Sequence, residues 1–134
     1  MAKTTLGVVA GLATWGIITS IAGLIMRGAW PEYASVADTM TFTLPMLFTR
    51  LAIGALATLT AGLVTAVMVR RSLLARLMPG ALLLVVFIPV HISLWDKFPV
   101  WYHLTFLGSL VPLTYIGGKL AEGRPLVLLQ TRST

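Results

Sequence analysis

Four near-continuous apolar stretches fill most of the chain, and the polar residues between them fall into short gaps. The first stretch runs from about residue 6 to 26, between Lys3 and Arg27, and the second from about 45 to 69, up to Arg70-Arg71. The third runs from about 77 to 95 and the fourth from about 99 to 116, ending at Gly117-Gly118-Lys119. A helix rising 1.5 Å per residue needs roughly 20 residues to cross about 30 Å of hydrocarbon, and each stretch comes near that length. Lipid offers backbone groups no water to bond, so a helix, which closes its hydrogen bonds internally, is what such stretches require. The pattern predicts an all-α integral membrane protein: a single domain, residues 1–134, built as a four-transmembrane-helix bundle.

The first gap, from about Arg27 to Leu44, carries a weaker helical pattern. Trp30, Tyr33, Val36 or Ala37, and Met40 recur at helical spacing, and Pro31 before Glu32 suits a first turn. A short interfacial helix in this first outer loop is expected, with Trp30 and Tyr33 as headgroup anchors. Pro79 is expected in the first turn of the third span, whereas Pro89 and Pro112 fall inside their spans and should kink them. Small residues suggest how the spans meet. Gly7 and Gly11 on the first span, and Gly54, Ala61 and Gly62 on the second, let backbones approach closely, either within the chain or on a neighbouring copy. The third span is bulky on every face from Leu82 to Phe87, which predicts broad contact with lipid.

Composition agrees with this picture. Hydrophobic residues make up 57% of the 134 positions and charged ones 10%, against about 25% charged in a typical soluble domain. The net charge of +6 invites a nucleic-acid reading, yet no folded basic surface exists to present it, and topology accounts for it better. Lys3, Arg70, Arg71, Arg76, Lys119, Arg124 and Arg132 fall on one side with Glu122; Arg27, Arg50 and Lys97 fall on the other, balanced by Glu32, Asp38 and Asp96. Positive charge retained on the side of synthesis places both termini in the cytoplasm, with residues 119–134 as a cytoplasmic tail. This is compatible with a bacterial inner membrane. Ser20-Ile21-Ala22 before Gly23 resembles a signal-peptidase site, but the apolar run continues to Met26, which favours an uncleaved first span. The absence of cysteine excludes disulfides, thiolate metal sites and cysteine nucleophiles.

Candidate chemistry concentrates on the outer side. The segment from Pro89 to His103 reads as a tight helical hairpin centred on Lys97, so His91 and His103, six residues to either side, lie at similar depth. Two histidines at one level suit a haem iron, a metal ion or a quinone head group, with Trp95, Asp96, Trp101 and Tyr102 nearby. Arg50 is an ionisable residue within a span, a costly placement that asks for a partner; Asp96, Asp38 and Glu32 are candidates. The same residue types also belong at any membrane–water boundary, so a purely structural cluster stands beside the ligand-site reading. No acid lies within a span to relay protons, no base is placed to activate a serine, and Gly117-Gly118-Lys119 lacks the phosphate-loop pattern. An enzyme is therefore disfavoured. The leading expectation is a non-enzymatic accessory or structural subunit of a membrane assembly, or a homo-oligomer. The alternatives are a paired-histidine redox or ligand-binding protein and an oligomeric transporter of a small anion selected by Arg50. The apolar run Leu126–Leu129 after Gly123-Arg124-Pro125 should rest on the membrane or on protein.

Overall fold

The structure, a computed structural model, describes residues 1–69 and 72–122. The tail segment Leu126–Leu129 and the Arg70-Arg71 pair lie outside the described residues. Helix α1 spans Ala2–Ala29, α2 Pro31–Val36, α3 Leu44–Met68, α4 Leu73–Ser93 and α5 Val100–Glu122, with a 3-10 turn at Trp95–Lys97. Helices α1, α3, α4 and α5 are each long and apolar enough to cross a membrane. Their outward faces carry Leu24, Ile25, Leu56, Val85, Val86 and Leu104, all exposed. In water each such side chain would forgo about 1.5–3 kcal/mol of burial; in lipid that loss disappears. The chain is a small polytopic membrane protein whose helices contact the bilayer.

Local chemistry moves several helix ends away from the edges of the apolar runs. Helix α4 starts at Leu73 because the Ser72 side chain accepts the Ala75 backbone N–H at 3.2 Å, so Pro79 sits inside the helix rather than in its first turn. Helix α5 continues through Gly117-Gly118 to Glu122. Those glycines serve close packing instead of termination: a Cβ on Gly117 would collide with the Leu59 carbonyl, and one on Gly118 with the Arg76 side chain. Helix α2 stops at Val36, and Met40 adopts φ 56°, a left-handed conformation that ends the helical spacing expected to reach it.

Helix α3 is the hub, packed on α1, α4 and α5. Toward the end holding the N-terminus and the close of α5, Gly11 lets α1 approach Ala61 and Thr65, and the Thr65 hydroxyl donates to the Gly7 carbonyl at 3.1 Å. The expected pairing of the first two spans is present, but the small residues of α3 divide between two neighbours. Ala61 faces α1, whereas Gly54 faces Phe106 and Gly62 faces the Thr114 backbone, both on α5. An ion pair between buried Arg76 and exposed Glu122 ties α4 to α5 at the same end.

The middle of α1 packs more loosely. No residue between Gly11 and Met26 is fully buried; Trp15 keeps contact with α3 and α4 through Thr58 and Phe87, and Met26 enters a cluster with Tyr33, Ala37 and Met46. Helix α2 thus bridges the ends of α1 and α3. A second cluster, Leu47, Phe98 and Tyr102, closes the same end against α5. This aromatic end of the bundle holds the site.

Candidate functional cleft

Arg50 lies in the second turn of α3, six residues beyond its first residue, or about 9 Å along the helix axis. Its Nη1 donates to the Tyr33 hydroxyl at 2.7 Å and its Nε to the Tyr102 hydroxyl at 3.4 Å. The guanidinium carbon stands 4.6 Å from the centre of the Phe42 ring, a cation–π distance. The acidic partners expected for Arg50 are engaged elsewhere or exposed. Asp38 bonds Arg27 at 3.1 Å, Glu32 and Asp96 are exposed, and no carboxylate among the described residues forms an ion pair with Arg50.

A guanidinium has five N–H donors, and two here reach phenol oxygens. A phenol that accepts from arginine keeps its own O–H to donate. Neither Tyr33 nor Tyr102 donates its O–H to another group among the described residues. The three side chains therefore converge as a cation flanked by two unspent hydroxyl donors, with no neutralising acid. That donor set is complementary to an anion.

The surroundings are apolar. Tyr33 stacks on Phe42 at 5.1 Å between ring centres, Phe42 on Phe98 at 6.0 Å, and Phe98 meets Tyr102 at 4.9 Å, so an aromatic row roofs Arg50. Below the roof is a cavity of ≈ 130 Å³ bounded by Arg50, Tyr33 and Tyr102, by Phe87 and Phe106 along one wall, and by Trp15, Thr19 and Gly23 of α1. Trp15 forms its floor: it packs on Phe87 at 5.2 Å and donates to the Thr58 hydroxyl at 3.1 Å, which in turn donates to the Gly54 carbonyl at 2.6 Å.

The histidines stand behind this wall. His91 and His103 meet Nδ1 to Nδ1 at 2.7 Å, and His103 Nε2 lies 3.2 Å from the Trp95 carbonyl. The phases of α4 and α5, which spacing along the chain leaves open, turn the two rings toward each other. A carbonyl only accepts, so His103 Nε2 carries a hydrogen; with both rings neutral, His91 Nδ1 donates to His103 Nδ1. Metal–nitrogen bonds of about 2.0 Å put two nitrogens on one tetrahedral ion roughly 3.3 Å apart, so these rings as placed do not accommodate an ion between them. No group of three His, Cys, Asp or Glu side chains gathers to hold a metal among the described residues. His91 packs on Phe106 at 4.8 Å and Trp95 stacks on His103 at 4.6 Å, so the pair buttresses the cleft wall.

Of the residues singled out along the chain, Arg50 and Tyr102 meet at the cleft, and His91, His103 and Trp95 form the adjoining network. Trp101 and Asp96 do not join: Trp101 packs against Phe48 at 5.4 Å on the outer face, and Asp96 is exposed in the turn. Tyr33, Phe42, Trp15, Phe87 and Phe106 complete the site without having been singled out for it. Trp15 offered a signal, since a tryptophan in the middle of a span is away from the interface where that residue usually sits. Compared with family models, with characterised proteins and with solved structures, the chain matches none.

Proposed function

We propose that this is a non-enzymatic, membrane-embedded binding protein whose Arg50 cleft holds the anionic group of a small ligand. The observation that carries this reading is Arg50 itself: a cation within a span, bonded among the described residues only to neutral hydroxyls, with the O–H groups of Tyr33 and Tyr102 left to donate. In a medium of low dielectric constant an unneutralised cation attracts an anion far more strongly than in water, and arginine presents paired donors to phosphate or carboxylate oxygens. If the termini face the cytoplasm, as the distribution of basic residues indicates, the cleft lies in the outer half of the membrane.

The test is native mass spectrometry of detergent-purified protein. A retained anionic adduct that disappears in Arg50→Gln supports the reading; equal adducts in both proteins count against it.

A second reading, a subunit of a homo-oligomer or of a larger assembly, draws on α1. Gly16 on α1 and Gly108 on α5 each have open space where a Cβ would stand, a surface on which another helix packs closely. Stoichiometric co-purification of a second copy or of an unrelated membrane subunit supports it, and a monodisperse monomer argues against it.

A further inference from the structure

We infer that the ligand reaches Arg50 sideways from the bilayer, between α1 and α4, and is an anion-headed lipid-like amphiphile rather than a water-borne anion. This rests on the reading of the Arg50 cleft as an anion site and adds the route and the ligand class.

Three observations carry it. On the water-facing side the Phe42 ring stands over the Arg50 guanidinium within the Tyr33–Phe42–Phe98–Tyr102 row, and α2 bridges the ends of α1 and α3. On the membrane-facing side, above the Trp15–Phe87 contact, no residue of α1 before Met26 is fully buried, and a Cβ at Gly23, on the cavity wall, would meet nothing within 4 Å. The cavity volume then limits what enters. At ≈ 130 Å³ it falls below the roughly 300–1,000 Å³ typical of sites that enclose a whole small molecule. It is close to the 150 Å³ or so that admits a single benzene ring. A phosphate or carboxylate group fits while its hydrocarbon stays outside the mouth, in lipid, where a tail costs nothing to accommodate. Arg50 Nη1 and Nη2 take two anion oxygens, and the Tyr33 and Tyr102 hydroxyls donate to the same group.

The test keeps Trp15, at the floor of the cleft, as the one tryptophan by making Trp30→Phe, Trp95→Phe and Trp101→Phe. This protein is placed in phosphatidylcholine nanodiscs holding increasing fractions of phosphatidylglycerol with brominated chains, which quench nearby indole fluorescence. The expected result is quenching that saturates at low mole fraction, with association on the order of tenfold tighter than for brominated phosphatidylcholine. Excess inorganic phosphate leaves the curve unchanged. Arg50→Gln and, separately, Gly23→Leu, which places bulk in open space at the mouth, bring the curve down to that of phosphatidylcholine. Identical curves for the two lipids in the folded protein overturn the inference. Displacement by inorganic phosphate, or Arg50-dependent binding of phosphate without saturable quenching, overturns the lipid route but leaves the anion site standing. Native spectra with no Arg50-dependent adduct of either phosphate or lipid overturn the site and the route together.

Discussion

The Nδ1 atoms of His91 and His103 stand 2.7 Å apart across the α4–α5 hairpin, with His103 Nε2 turned to the Trp95 carbonyl. That chain of contacts dictates where the hydrogens sit. Solid-state NMR of ¹⁵N-histidine-labelled protein reports on these rings alone, since the chain has two histidines. The expected spectrum at neutral pH shows one ring protonated at Nδ1 and the other at Nε2. Two rings both protonated at Nε2 at neutral pH would contradict the geometry.

Tyr33→Phe and Tyr102→Phe each remove a hydroxyl that accepts from Arg50 and is free to donate to a ligand. Leaving a donor of a partly buried cation unpaired costs about 1–3 kcal/mol. Tyr33→Phe should cost more, because its contact is the shorter, and it should also loosen α2 from α3. Both variants should bind the anionic amphiphile more weakly than the parent, by about tenfold. Melting in detergent and the Trp15 quenching titration read the two effects separately. Wild-type affinity in both variants would remove the tyrosines from the site.

Gly62 and Gly117 mark the closest approach of α3 and α5, each facing a backbone carbonyl of the other helix. Gly62→Val should destabilise the folded bundle by on the order of 3 kcal/mol, because the carbonyl opposite belongs to a helix and has no rotamer to yield. Gly16→Ala is the matched control, a glycine with nothing within 4 Å of its Cβ position, and should be neutral or slightly stabilising. Reversible unfolding of both variants in detergent checks the pair. Equal losses would show that the close approach does not exist.

The chain has no cysteine, so single introduced thiols report topology without background. Ser72→Cys, at the start of α4, should resist a membrane-impermeant maleimide in intact cells and react after the membrane is opened. Thr39→Cys, in the loop after α2, should react in intact cells. The reverse pattern would invert the orientation and place the Arg50 cleft in the cytoplasmic half.

Hydropathy alone revealed the four long helices, because lipid demands a length and polarity that few other structures share. The short helix after α1 was readable from Pro31 and the spacing of Trp30 and Tyr33, though its end at Val36 was not, since Met40 departs through a local left-handed turn. Equal depth of His91 and His103 followed from counting about Lys97. Their facing did not, because it depends on the rotation of α4 and α5, which packing decides. Arg50 drew attention as an intramembrane cation, but charge logic led toward Asp38, Glu32 and Asp96. The phenols of Tyr33 and Tyr102 were found instead, because α2 and α5 bring hydroxyls inward while the acids stay at the rim. The cleft itself lies against the half-buried middle of α1, whose Trp15, Thr19 and Gly23 line it, a placement that no run of apolar residues encodes.

The most direct measurement is the shift in thermal midpoint of purified wild-type protein and Arg50→Gln on adding an anionic or a zwitterionic phospholipid of the same chain length. A ligand at 100 times its dissociation constant stabilises the state it binds by about 2.7 kcal/mol. The anionic lipid should raise the wild-type midpoint, the zwitterionic lipid should do so little, and Arg50→Gln should lose the difference. Equal shifts from both lipids, or the same anionic preference in Arg50→Gln, would contradict an anion site at Arg50.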